Sequence, residues 1–194
     1  MVKLIGNNKL NTSVFISGRG SNLKSLINFA KKKSSPIKIS LIVTNNKKAK
    51  GLNHAKKNNI QKVVINYTNK TNAEKKIISL HNKRDIKLIC LAGFMKILSK
   101  KFIKNFKGKI LNIHPSLLPK YKGLDTHNRI VNNKEQFTGC TVHLVNSRLD
   151  SGKIILQKKI KVLKKDSAKS LEKKVLKLEH KIYPKAISKF LSNL

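Results

Sequence analysis

Apolar side chains recur along this chain at two spacings, and the switching between them lays out the fold. Residues 13–17 form a short apolar run with serine at each end, as in a buried strand. From Leu23 the spacing changes, and Leu23, Leu26, Ile27 and Ala30 fall on one face of a helix. Strands follow at residues 37–43 and 62–65, with a short helix between them over 47–58. After a polar loop at 67–70, Thr71 and Glu74 are spaced as a Thr-x-x-Glu capping box, which starts another helix. Residues 86–92 are an apolar strand, and Ser99 caps a short helix reaching Phe106. Strand alternating with helix predicts an open, mostly parallel α/β sheet with right-handed crossovers. The strands at 138–145 and 153–162 are joined so closely that they add to this sheet in antiparallel fashion. Leu171, Val175, Leu178, Ile182, Ala186 and Phe190 then mark a helix over 167–194. Pro184 should kink that helix or begin a second segment.

The stretch 110–123 stands at the centre of this plan. Residues 109–113 read as a strand, and Pro115, with no N–H to give a ladder, ends it. Asn112 and His114, two residues apart, therefore share one face at the strand's carboxyl end. Ligands of open parallel sheets bind at that end. An amide and an imidazole side by side can stabilise an oxyanion; a strand-end histidine with no role fits the spacing equally well. Other stretches are similarly open. Gly18-Arg19-Gly20-Ser21-Asn22 between strand and helix turns N–H groups towards an anion, or is simply a tight turn capped by Ser21 or Asn22. Met95, Ile97 and Leu98 read as core. Asp150 reads as a turn residue and Glu179 as a solvated one.

Composition narrows the class. The 194 residues suggest one domain, 1–194, with 39% hydrophobic residues and no Trp, so Ile, Leu and Val must build the core. Cys90 and Cys140 sit in apolar runs without metal-ligand spacing, which suits buried thiols in a reducing compartment. Residues 1–12 are polar and no long apolar run follows, so a soluble cytoplasmic protein without membrane contact is expected. The formal charge of +36 invites a nucleic-acid reading. However, only four of the 44 basic residues are arginines, whereas base and phosphate recognition favours the arginine fork. Lys, Asn and Ile are abundant together and share AT-rich codons, so coding bias accounts for the charge, and no specific nucleic-acid partner is expected.

Read whole, Asn112-Ile113-His114-Pro115-Ser116-Leu117-Leu118-Pro119-x-Tyr121-x-Gly123 resembles the signature of the folate-dependent formyltransferases. Four more segments agree in order: Ser17 to Leu23, Ala92 to Leu98, Leu149-Asp150-Ser151-Gly152, and Glu179-His180 with Tyr183-Pro184. The chain is most similar to the branch acting on glycinamide ribonucleotide (GAR). The resemblance implies a Rossmann-like formyltransferase fold with helices on both sheet faces. It also implies transfer of the formyl group of the cosubstrate 10-formyltetrahydrofolate to the GAR amine in de novo purine (IMP) biosynthesis. By the same resemblance His114, Asn112 and Asp150 are catalytic, with Asp150 keeping His114 protonated. Gly20, Ser21 and Asn22 would hold the GAR phosphate, and Glu179 would reach the same substrate. Lys70, Met95, Lys96, Ile97, Leu98 and Asn112 would bind folate, and no metal is called for. The family more often has Gly at the position of Ser151. A tRNA-directed formyltransferase, expected to need a further C-terminal domain, and a formyltetrahydrofolate deformylase, expected to need an N-terminal one, are the alternatives. A basic RNA-associated protein with relic motifs is a third. The expected assembly is a monomer or weak dimer.

Overall fold

The computed structural model describes residues 9–193. Seven strands form one sheet: β1 (Leu10–Ile16), β2 (Ile37–Thr44), β3 (Lys62–Val64), β4 (Leu88–Leu91), β5 (Lys109–His114), β6 (Phe137–Leu144) and β7 (Ile154–Lys161). Their order is β3-β2-β1-β4-β5-β6-β7, parallel through β5 and antiparallel thereafter. The sheet is therefore the mostly parallel one predicted, with its antiparallel addition. The chain winds outwards from β1 to one edge and then restarts at β4, which creates a switch point between the carboxyl ends of β1 and β4. Residues 1–8, most of the expected polar leader, lie outside the described residues, while Leu10–Thr12 belong to β1.

Six helices cover the sheet: α1 (Ser21–Ala30), α2 (Leu52–Lys57), α3 (Lys70–Lys83), α4 (Lys100–Asn105), α5 (Thr126–Asn132) and α6 (Ala168–Leu191). Period-two side chains divide the core. Val14 and Ile16 pack with Leu23, Leu26, Val175 and Ile182 on the face of α1 and α6, while Phe15 packs with Ile77 and Phe102 on the face of α3 and α4. Cys90 and Cys140 are both buried free thiols in the first of these layers.

Two local expectations are corrected. The cap of α3 is Asn69, whose side chain accepts from the Asn72 N–H at 3.0 Å, so Thr71 is already helical. Glu74 is buried and instead accepts from the Ser99 N–H at 2.8 Å and from its hydroxyl, tying α3 to the start of α4. The second correction concerns Pro184: of the two outcomes expected for it, the second helical segment does not occur, since α6 runs through it as one helix. Proline cannot donate to the carbonyl four residues back. That carbonyl, on His180, takes a hydrogen bond from the Ser25 hydroxyl of α1 at 2.7 Å.

One turn further along its face, α6 places Tyr183, fully buried, over the sheet. Its hydroxyl lies 3.0 Å from both the Leu91 carbonyl, at the end of β4, and the Leu111 carbonyl, within β5. The hydroxyl has one hydrogen to donate between them, so Tyr183→Phe should cost about 0.5–1.5 kcal/mol, the net worth of one hydrogen bond. Urea unfolding should show this loss while the activity of the folded protein stays near wild type.

Candidate active site

The carboxyl ends of β1, β4 and β5 open into a cleft of about 900 Å³. Its floor is β5, where Asn112 and His114 point the same way as the strand period requires. After His114 the chain turns through residues 115–120, pinned to β6 and β7. Thr141 Oγ1 accepts from the Leu118 N–H at 3.1 Å, and Gln157 Nε2 donates to the Leu118 carbonyl at 2.8 Å. That turn brings the Tyr121 carbonyl within 2.8 Å of His114 Nε2, so Nε2 carries the hydrogen. Nδ1 then faces Asp150 Oδ2 at 3.4 Å.

Asp150 arrives from the turn between β6 and β7 and adopts a left-handed φ of 46°. Asp and Asn tolerate that region better than most residues. The following turn depends on Gly152, where a Cβ would lie 1.7 Å from the Leu144 carbonyl oxygen. Ser151, where the family more often has Gly, fits without strain: its hydroxyl donates to the Leu149 carbonyl at 2.8 Å. The Asp150 carboxylate is buried, and burial works against its charge. The polar contact with His143, the hydrogen bond from the Gly123 N–H (2.9 Å) and the neighbouring imidazoles outweigh that penalty and hold its pKa below the usual carboxylate value.

The structure adds a residue the sequence reading did not single out. His143 lies opposite Asn112 in the β5–β6 ladder, with Nε2 3.2 Å from Asn112 Nδ2 and 3.6 Å from Asp150 Oδ1. Its Nδ1 donates to the Leu144 carbonyl at 2.8 Å, so in the neutral ring Nε2 accepts from Asn112. The second hydrogen of the Asn112 amide goes to Asp150 Oδ1 at 3.3 Å. Burial pulls the His114 pKa below the ordinary histidine value, while the Tyr121 carbonyl and Asp150 act in the opposite direction. His114 Nδ1 is aimed at the Asp150 carboxylate.

The turn at 18–22 forms a second wall. Gly20, at φ 74°, precedes α1 and no side chain caps the helix, so the expected Ser21 or Asn22 cap is absent. The first N–H groups of α1 are left for an anion. A Cβ on Gly20 would meet Gly51 Cα at 2.6 Å, so glycine is required by backbone packing and not by ligand space. Asn22 Nδ2 donates to Glu179 Oε2 at 2.7 Å, while Asn22 Oδ1 is buried without a partner among the described residues. The third wall is the loop 93–98, where Met95 and Ile97 are 63% and 65% exposed and Leu98 is buried. The core reading therefore holds for Leu98 alone. Every residue singled out for the site lines this cleft except Lys70, which stands exposed at the start of α3 away from it.

Known proteins are similar to this chain in sequence and fold. The profile of the family described as Formyl transferase matches residues 10–187. The chain is 40% identical over 182 residues to the human "Trifunctional purine biosynthetic protein adenosine-3", covering 92% of the chain but 18% of that protein. It is 40% identical over 181 residues to the Haemophilus influenzae "Phosphoribosylglycinamide formyltransferase", covering 92% of the chain and 85% of that protein. The crystal structure of phosphoribosylglycinamide formyltransferase from Brucella melitensis superposes with a TM-score of 0.89 at 39% identity, covering 94% of this chain and 96% of that one.

Burial pushes the Glu179 carboxyl up to about 7; the Asn22 amide opposes this and the charge of Glu172 adds to it. A carboxyl with a raised folded pKa contributes stability that is complete below its unfolded value near 4.5 and is lost as pH rises through 7. Glu179→Gln, neutral throughout, should gain on wild type across that window by at most about 3 kcal/mol. Unfolding of both proteins at pH 5 and pH 8 measures the gain, and an equal difference at the two pH values would count against a buried, proton-holding Glu179.

Proposed function

The chain belongs to the formyl transferase family, and on that premise we propose that it transfers the formyl group of 10-formyltetrahydrofolate to the primary amine of glycinamide ribonucleotide. The observation that carries the reading is one cleft holding both an uncapped helix start and a buried Asn-His-Asp cluster. The α1 N–H groups suit the dianionic phosphate of GAR, and the unpartnered Asn22 Oδ1 offers an acceptor to a ribose hydroxyl or amine. The exposed apolar side chains of Met95 and Ile97 suit a flat heterocycle such as the pterin, with free backbone groups of the loop reading its edge. Lys70 has no part in this reading.

Formyl transfer between nitrogens needs the new C–N bond to form, negative charge to collect on the formyl oxygen, and a proton to leave the amine and reach the departing nitrogen. Asn112 supplies N–H groups near that oxygen, exchanging a bond to Asp150 or His143 for one to the developing oxyanion. His114 Nδ1 and Asp150 Oδ2, two lone-pair donors 3.4 Å apart, form a trap for one proton. Uptake there turns His114 into an imidazolium flanked by a carboxylate and a carbonyl, the environment best suited to that cation. The same proton is then available to the leaving nitrogen. Burial of the cluster makes each of these charges felt strongly.

An acceptor panel tests the assignment. With 10-formyltetrahydrofolate as donor, GAR should be formylated, while methionyl-tRNA and water should serve poorly. Preference for either of the latter would replace the reading. Asp150→Asn should fold, since Asn accepts the left-handed backbone, and should bind both substrates. Its turnover should fall at least ~100-fold, the scale of a lost acid–base group. The His114 pKa should drop further in this variant, because the remaining carboxylate support is gone. Near-normal turnover would assign the proton trap elsewhere.

A further inference from the structure

Ser17 touches no part of the proton trap, yet all its polar groups are engaged at the switch point between β1 and β4. Its N–H donates to the Gly93 carbonyl at 3.0 Å, and its Oγ accepts from the Met95 N–H at 2.8 Å. The same hydroxyl donates to Asn45 Oδ1 at 2.5 Å, and the Ser17 carbonyl accepts from Asn46 Nδ2 at 3.1 Å. Three loops, those following β1, β2 and β4, thus meet on one serine.

Two of these loops are the cleft walls assigned above to different substrates. The 93–98 loop has little packing of its own, since Met95 and Ile97 are mostly exposed. Its far end is held by Glu74 through Ser99, and its near end by Ser17. The 18–22 turn follows Ser17 directly and is fixed on its other side by the Gly51 N–H to the Gly18 carbonyl at 3.0 Å.

We propose that Ser17 is a positioning residue that couples the two substrate subsites, so that filling either one tightens binding at the other. This rests on the functional reading above. A loop must be ordered to bind, and that ordering costs free energy. A ligand at the 18–22 turn immobilises Ser17, which holds the Met95 backbone in place, so the second ligand meets a loop already ordered. Thermodynamic linkage then requires the effect to be equal in both directions.

The test is calorimetric titration of the full chain with GAR and with tetrahydrofolate, a pair that cannot react. Each is titrated alone and with the other saturating. In the wild type each should tighten the other by the same factor, about 5-fold or more. Ser17→Ala leaves the Met95 N–H and Asn45 Oδ1 without their shared partner but keeps the Ser17 backbone bonds. Single-ligand affinities should fall by no more than about 10-fold, the scale of two lost neutral hydrogen bonds, while the coupling factor falls towards one. Ser17→Thr, which keeps the hydroxyl, should restore the factor. A wild-type factor of one, or a factor unchanged in Ser17→Ala, would overturn the inference while leaving the functional reading intact. Failure of the wild type to bind GAR or tetrahydrofolate at all would overturn both.

Discussion

A carboxylate cannot be buried without replacing the water it loses, and the active cleft is built around that requirement at Asp150. Its two oxygens are approached by Asn112 and His114 on β5, by His143 on β6 and by the backbone of Gly123. These groups come from three separate segments, two of them neighbours in the sheet. The cost of an unpaired buried charge, several kcal/mol, therefore acts as the force that closes the β6–β7 turn over the floor of the sheet. The same geometry sets the carboxylate, whose pKa is held low, beside Nδ1 of an imidazole whose pKa is pulled down by burial.

The remaining acids follow the same logic. The chain has only eight, against 44 lysines and arginines. Glu74, Asp150, Asp166 and Glu179 are buried, and each has a hydrogen-bonded partner. The other four are also engaged: Asp85 with Lys87, Asp125 with Asn128, Glu135 with Lys120, and Glu172 with Arg19. Negative charge occurs where a specific contact uses it, while most of the lysines carry their charge in solvent. The +36 total is thus a property of the surface, and the interior electrostatics are set by a handful of carboxylates.

The periodic elements were legible from sequence because burial imposes a period of two on strands and 3.6 on helices, and Pro115 marks where β5 stops. Asn112 and His114 could be paired for that reason. His143 could not, since it looks like any polar position of an alternating strand until the antiparallel register sets it opposite Asn112. The cap of α3 was misassigned because Asn69 and Thr71 are both good capping residues, and the choice fell to the one whose partner was not needed elsewhere; Glu74 is committed to Ser99. Arg or Lys near a cleft is likewise weak information, because a long side chain on a lysine-rich surface gives no direction, as Lys70 shows. Charge state is the least legible of all, since the downward shift of the His114 pKa arises from burial that only the folded chain defines.

The bond from Ser25 to the His180 carbonyl means more than tolerance of a proline. Along an ordinary helix every carbonyl is already taken, so one turn looks much like the next to a neighbouring helix, and two helices can slip by a turn at modest cost. Pro184 leaves the His180 carbonyl open in the middle of the helix, and Ser25 donates to it. The two helices are keyed together as a tooth in a notch. A slip of one turn would move Glu179 by about 5.4 Å and carry it away from Asn22. A residue usually counted as a helix breaker thereby sets the alignment of a helix with its ligand-facing wall.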